Sequence, residues 1–238
     1  MPGGTRTGET TTYCLAAVLG SNDAEILDGG VRLDSAAAVE ALRLLRYLIE
    51  DGSMSGAVAS NDWLASPRHV GSGQSAIGIG GSYEAEIVAE AAGTSLASLW
   101  DRFVFAPFPA GPRGVPTTAA GAMAYVVLRQ SGNAKAAMRL VEWLTTTERL
   151  AERTADRPMI PARHSSLDLL DPAPQFVVET ARLFSTAVNR PKIVEYPLVS
   201  AQLQGMVEAV ITGSLRPAAA VERAADIIGA ITGRPVIH

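Results

Sequence analysis

One ordered set of short segments limits what this chain can fold into. Residues Gly73–Tyr83 read GQSAIGIGGSY, Phe103–Gly114 read FVFAPFPAGPRG, and Thr117–Leu128 read TTAAGAMAYVVL. The spacing predicts a strand over Ser75–Gly80 whose glycines leave room for close backbone approach, a tight glycine turn, and a helix over Tyr83–Ala92 stopped at Gly93. A strand over Arg102–Ala106 then breaks at Pro107, Pro109 and Pro112, and a small-residue turn leads into a further strand at Ala122–Leu128. A strand that feeds a helix N-terminus exposes backbone N–H groups. The set therefore reads as one wall of a ligand cleft.

Around it the pattern is helical. Asp34 is a good N-cap for a helix over Ser35–Glu50, with Val39, Leu42, Leu45, Leu48 and Ile49 on one face and Asp51-Gly52 as its stop. Asn133 caps a helix through Leu144 that carries Trp143 on its apolar side, where it reads as core, and Thr145–Thr147 restarts a short helix to about Ala155 that Pro158 and Pro161 end. Helices over Gln175–Phe184 and Pro197–Thr212 follow. The last opens at Pro217 and carries Val221, Ala224, Ile227, Ile228 and Ile231. The whole is α/β with more helix than strand, and it has no repeat.

Composition excludes several function classes. With 238 residues the chain can bury a substantial core, and a net charge of −4 with scattered positive residues gives no footprint for nucleic acid. Cys14 is the only cysteine, so no intrachain disulfide and no cysteine-built zinc or redox site is expected. Three isolated histidines without an H-x-x-x-H run give no support for a metal site, and neither a P-loop nor a complete G-x-G-x-x-G supports a nucleotide cofactor. No apolar run reaches the roughly 18–20 residues that span a bilayer. The opening MPGGTRTGETTTYCLAAVLG lacks the charge cluster, apolar stretch and cleavage site of an export signal.

Two chemistries compete at GGSYE. Ser82 sits where an esterase nucleophile would, but Glu84 replaces the final glycine of G-x-S-x-G, and the available bases, His69, His164 and His238, have no recognisable orienting carboxylate. A serine hydrolase using Ser82 with His69 or His164 is thus the enzymatic alternative, and a stand-alone interaction module that dimerises is another. The binding reading needs no motif to be repaired. Tyr83 can lay an aromatic face against the apolar face of a sugar, and Glu84 can accept from ligand hydroxyls, against the plain alternatives of core packing for Tyr83 and helix-dipole complementation for Glu84.

The order VEALRLLRYLIEDG, NDWLASPRHVGSGQSAIGIGGSYE, FVFAPFPAGPRG, then AGAMAYVVLRQSGNAKAAMRLVEWLTTTERLAERTADRPMIPAR and the terminal paired helices resembles the C-terminal half or more of the carbohydrate-type solute-binding proteins of ABC importers. The resemblance covers nearly all of Asp34–Gly233. It implies a type II periplasmic-binding-protein-like α/β fold, with one nearly complete lobe and part of the second. Residues 1–107 and 161–238 would form the main lobe, and 108–160 would cross to the other. The implied function is capture of a small hydroxylated solute, a sugar, and delivery to an ABC permease outside the cell or in the periplasm, without catalysis, cofactor or metal. The site residues it implies are Tyr83 as stacking aromatic within Gly81-Ser82-Tyr83, Gly121 as the second glycine of the cleft turn, and Arg163 at the rim, with Glu84 and Ala122 as neighbours.

The departures from the family carry their own expectations. Ala120 replaces the first glycine of the turn, Ala122 stands where many members place tryptophan, Tyr83 replaces tryptophan, and PLVSAQLQGM carries no aromatic. The family's first half has no counterpart here, which reads as a fragment or truncated form. Ala110–Met159 is then expected to lack most of its sheet partners and to expose a strand edge and helix faces.

Overall fold

A computed structural model describes residues 3–157 and 159–238. Among these residues the helices are α1 (Glu9–Gly20), α2 (Ala36–Glu50), α3 (Ala65–Gly71), α4 (Ala85–Ala92), α5 (Ala134–Leu144), α6 (Thr147–Asp156), α7 (Gln175–Arg182), α8 (Tyr196–Thr212) and α9 (Pro217–Thr232). Two short strands, β1 (Thr118–Ala120) and β2 (Ala187–Asn189), pair in parallel with Ala119 opposite Val188.

The main core lies between α1, α2, α8 and α9, where Leu15, Leu19, Leu42, Leu45, Leu203 and Ile228 are fully enclosed. Each such side chain contributes roughly 1.5–3 kcal/mol by leaving water. A smaller cluster joins Ala85 and Ala89 of α4 to Leu99 and to Phe176 of α7, with the Trp100 ring edge-on to Phe176 at 5.9 Å. Helix α2 begins one residue later than expected: the Ser35 hydroxyl, not Asp34, accepts from the Ala38 N–H at 3.2 Å. Asp34 instead pairs with the ring of His238 at 2.8 Å. Helices α4 and α8 stop at Gly93 and Gly213, both in the left-handed region that a side chain resists.

Helix α1 has no counterpart among the sequence-based expectations. Its polar start, Glu9-Thr10-Thr11-Thr12, masks the helical period, yet Thr11, Thr12, Cys14, Leu15, Ala16, Val18 and Leu19 are all buried because α8 covers one side and the β1–β2 pair another. The buried hydroxyls are satisfied: Thr12 pairs with Ser200 on α8 at 2.7 Å, and Thr11 donates to the Gly4 carbonyl at 2.8 Å.

The three expected strands are not strands. Ser75–Gly80, Arg102–Ala106 and Ala122–Leu128 carry no ladder; pairing occurs instead at Thr118–Ala120 and Ala187–Asn189. A strand exists only where a neighbouring edge accepts its N–H and C=O groups, and no edge lies beside these segments among the described residues. The expected exposure follows. Met123 is 83% exposed and Val126 76%, and α5 buries none of its side chains. Trp143, expected in the core, is 51% exposed and holds the Arg149 guanidinium over its ring at 4.6 Å. Helix α6 starts from a Thr146 cap and ends at Asp156; Pro158, one of its expected stops, lies outside the described residues.

Candidate functional site

The GGSYE segment folds as a single 3-10 turn, Ser82–Glu84, leading directly into α4. Its two glycines are dictated by space. A Cβ at Gly80 would overlap the Glu84 carboxylate, and one at Gly81 would overlap the Tyr83 ring. Glu84 folds back beneath the turn, 5% exposed, and its Oε2 accepts from the Gly81 N–H at 3.2 Å. Its Oε1 is buried with no hydrogen-bond partner among the described residues. Burial pushes the carboxyl up to about 7, against the opposing pull of the Gly81 N–H. Tyr83, 44% exposed, stands on the outer side of the turn, and burial followed by the neighbouring Glu84 raises its phenol above the ordinary value.

Tyr13 of α1 connects this turn to the strand ends. Its ring meets Tyr83 edge-on at 6.4 Å, its hydroxyl donates to the Ala119 carbonyl of β1 at 2.5 Å, and the Arg190 guanidinium lies 5.3 Å from its ring centre. Arg190 follows β2 directly and is also 5.7 Å from the Tyr196 ring. Glu9, in the first turn of α1, gathers these groups: it pairs with Arg190, accepts from the Tyr196 hydroxyl and accepts from Ser200 at 2.6 Å. Burial and the Glu9 carboxylate push Tyr196 up to about 12, so its hydroxyl remains a donor.

Gly121, just past β1, completes the arrangement. A Cβ there would lie 3.0 Å from the Tyr13 ring and 3.1 Å from an Arg190 terminal nitrogen, so any side chain would crowd both. An open cleft of about 260 Å³ lies at this point, lined by Ala120, Gly121, Asn189, Arg190, Lys192 and Tyr196 among others. It sits at the carboxyl ends of both parallel strands, a preferred ligand position in α/β architectures.

Residues 4–181 match the model of the bacterial extracellular solute-binding protein family. This chain belongs to that family. No curated protein matches it. Among solved structures, an ABC transporter solute-binding protein from Thermotoga lettingae TMO bound with α-D-tagatose is 23% identical, with 94% of this chain and 57% of that one covered at a TM-score of 0.80. Maltose-bound T. maritima MalE3 is 23% identical, with 92% and 57% covered at 0.81. The GacH receptor of Streptomyces glaucescens is 21% identical, with 94% and 57% covered at 0.77. The fold is thus that of the type II binding proteins, and the chain spans about 57% of the length of these neighbours.

For a solute-binding protein, the expected residues divide into two groups. Gly81, Tyr83 and Gly121 fall together with Tyr13, Ala122 follows at the exposed edge, and Glu84, expected to accept from ligand hydroxyls, is instead buried beneath the turn where it serves the Gly81 N–H. Arg163 does not join them: its Nε donates to the Thr145 carbonyl at 2.9 Å, tying down the α5–α6 junction. Ser82 has no histidine within hydrogen-bonding reach among the described residues, and His69 and His164 are both exposed. The family and its neighbours are binding proteins, which favours solute binding over the hydrolase alternative.

Sequence reasoning missed Glu9, Tyr13, Arg190 and Tyr196. A partial signal existed, since Glu9 and Tyr13 stand four apart on one helix face and Arg190 follows a small-residue stretch. An aromatic does serve the α8 end of the cleft: Tyr196 opens that helix one residue ahead of PLVSAQLQGM.

Proposed function

We propose that this chain forms one wall of the sugar-binding cleft of an ABC importer's solute-binding protein. The observation that carries the reading is Tyr13, which joins the exposed Tyr83 face to Gly121 and Arg190 at the ends of the β1–β2 pair. Tyr83 supplies an aromatic surface for the C–H face of a pyranose. Arg190, Asn189 and the Tyr196 edge supply donors and acceptors for hydroxyls, and Glu9 fixes the Arg190 plane before ligand arrives.

In this reading the parallel strands are the crossing points between lobes. Residues 1–107 and 161–238 make up the main lobe, and 108–160 belongs to the other. Closure of a second wall over the cleft buries the solute and selects the form that a membrane permease recognises. The neighbours bound with α-D-tagatose and with maltose support a saccharide as the ligand class.

A thermal-shift screen of the chain against tagatose, maltose and simple hexoses tests the proposal. A saturable rise in melting temperature, lost in Tyr83→Ala and in Arg190→Ala, is the expected result. A rise that both variants retain places the sugar elsewhere and ends this assignment.

A further inference from the structure

The charge of the cleft wall narrows the solute further, on the assumption that the cleft proposed above binds one. Arg190 and Lys192 both line it, and among the described residues no carboxylate does. Glu9 answers one of these charges by pairing with one terminal nitrogen of Arg190. The other terminal nitrogen lies beside Gly121, 3.1 Å from where a Cβ would stand, so a side chain there would crowd it. Lys192 is exposed and has no ion pair among the described residues. The wall thus keeps one uncompensated positive charge within a chain whose net charge is −4.

That charge matters when the cleft closes. Bringing a second wall over Lys192 strips its water, and a neutral sugar offers hydroxyls but no counter-charge, so neither that solute nor this wall pairs the cation as it is desolvated. An acidic group on the solute supplies the counter-charge to Lys192, and one of its oxygens can accept from the terminal nitrogen of Arg190 that Glu9 leaves free. We infer that the solute is an anionic saccharide, carrying a carboxylate or a phosphate beside its hydroxyls, with Lys192 and that terminal nitrogen of Arg190 as the groups that select it.

The test is a titration of the isotope-labelled chain, followed by amide chemical shifts, with D-glucose, D-glucuronate and D-glucose 6-phosphate. It is run at about 20 mM and about 200 mM salt, which changes the reach of exposed charges severalfold. The expected result is that at least one of the two anions binds about tenfold more tightly than glucose at low salt. Comparison of glucuronate with the 6-phosphate tells which acidic group is preferred. The preference should shrink at high salt and fall to within about twofold in Lys192→Gln. Glucose binding as tightly as both anions, with shifts at Tyr13, Tyr83 and Gly121, overturns the anionic class and leaves the cleft standing. No shift at those residues with any of the three removes the cleft reading and this inference with it.

Discussion

Replacing Glu84 by glutamine removes a proton-binding group whose affinity changes on folding, and the consequence can be worked out from its surroundings. The carboxyl lies under the Gly80-Gly81 turn with one oxygen bonded to the Gly81 N–H and the other without a partner among the described residues, and burial lifts it from 4.5 to about 7. Below pH 4.5 both folded and unfolded chains hold the proton, so nothing is lost. Between 4.5 and about 7 the unfolded chain releases it while the native chain keeps it, so stability falls as pH rises. At about 1.36 kcal/mol per pH unit the loss reaches about 3 kcal/mol by pH 8, a large share of the roughly 5–15 kcal/mol that holds a domain together. Glu40 does not confuse the reading: its hydrogen bonds with Arg113 and Asn22 hold it down at about 2, so its change in protonation falls below this window. Urea unfolding at pH 5 and pH 8 measures the effect. The parent chain should lose about 2.5 kcal/mol between the two, the first part of the loss having already occurred below pH 5. Glu84→Gln should lose much less and be the more stable of the two proteins at pH 8. Equal slopes for parent and variant would refute the argument, because the titrating group would then lie elsewhere.

Other substitutions separate space, core and surface. Gly81→Ala places a methyl group in the Tyr83 ring, and should cost about 1–3 kcal/mol in urea unfolding and abolish any sugar-induced thermal shift. Leu203→Ala opens a cavity in the four-helix core and should cost about 2–5 kcal/mol. Leu198→Ala, on the exposed side of the same helix, should stay within about 0.5 kcal/mol. The unpaired Met123–Leu128 segment and the bare face of α5 should make the chain self-associate, with a mass in light scattering that grows with concentration. Val126→Lys should reduce that growth without lowering the melting temperature.

Much of this protein is legible in the sequence because local physics settles it. The α2 period, the Gly93 stop and the Pro217 start each state a helix boundary within a few residues, since capping and left-handed turns depend on near neighbours. The glycines of GGSYE likewise announce a tight turn before a helix, and the atoms show what fills it: the Glu84 and Tyr83 side chains folding back on their own turn.

What the tertiary structure alone decided depends on distant residues. Ala122–Leu128 has the composition of a strand, but a strand is a property of two edges, and no second edge lies beside it among the described residues. The same holds for the site. Glu9 and Tyr13 look like ordinary residues of a polar-starting helix until α8 and β2 bring Tyr196, Ser200 and Arg190 to them from more than 170 positions away. Local sequence determined which segments could form a cleft wall. Only long-range packing determined which charges and aromatic faces share it, because the energy of those contacts belongs to pairs that no local window contains.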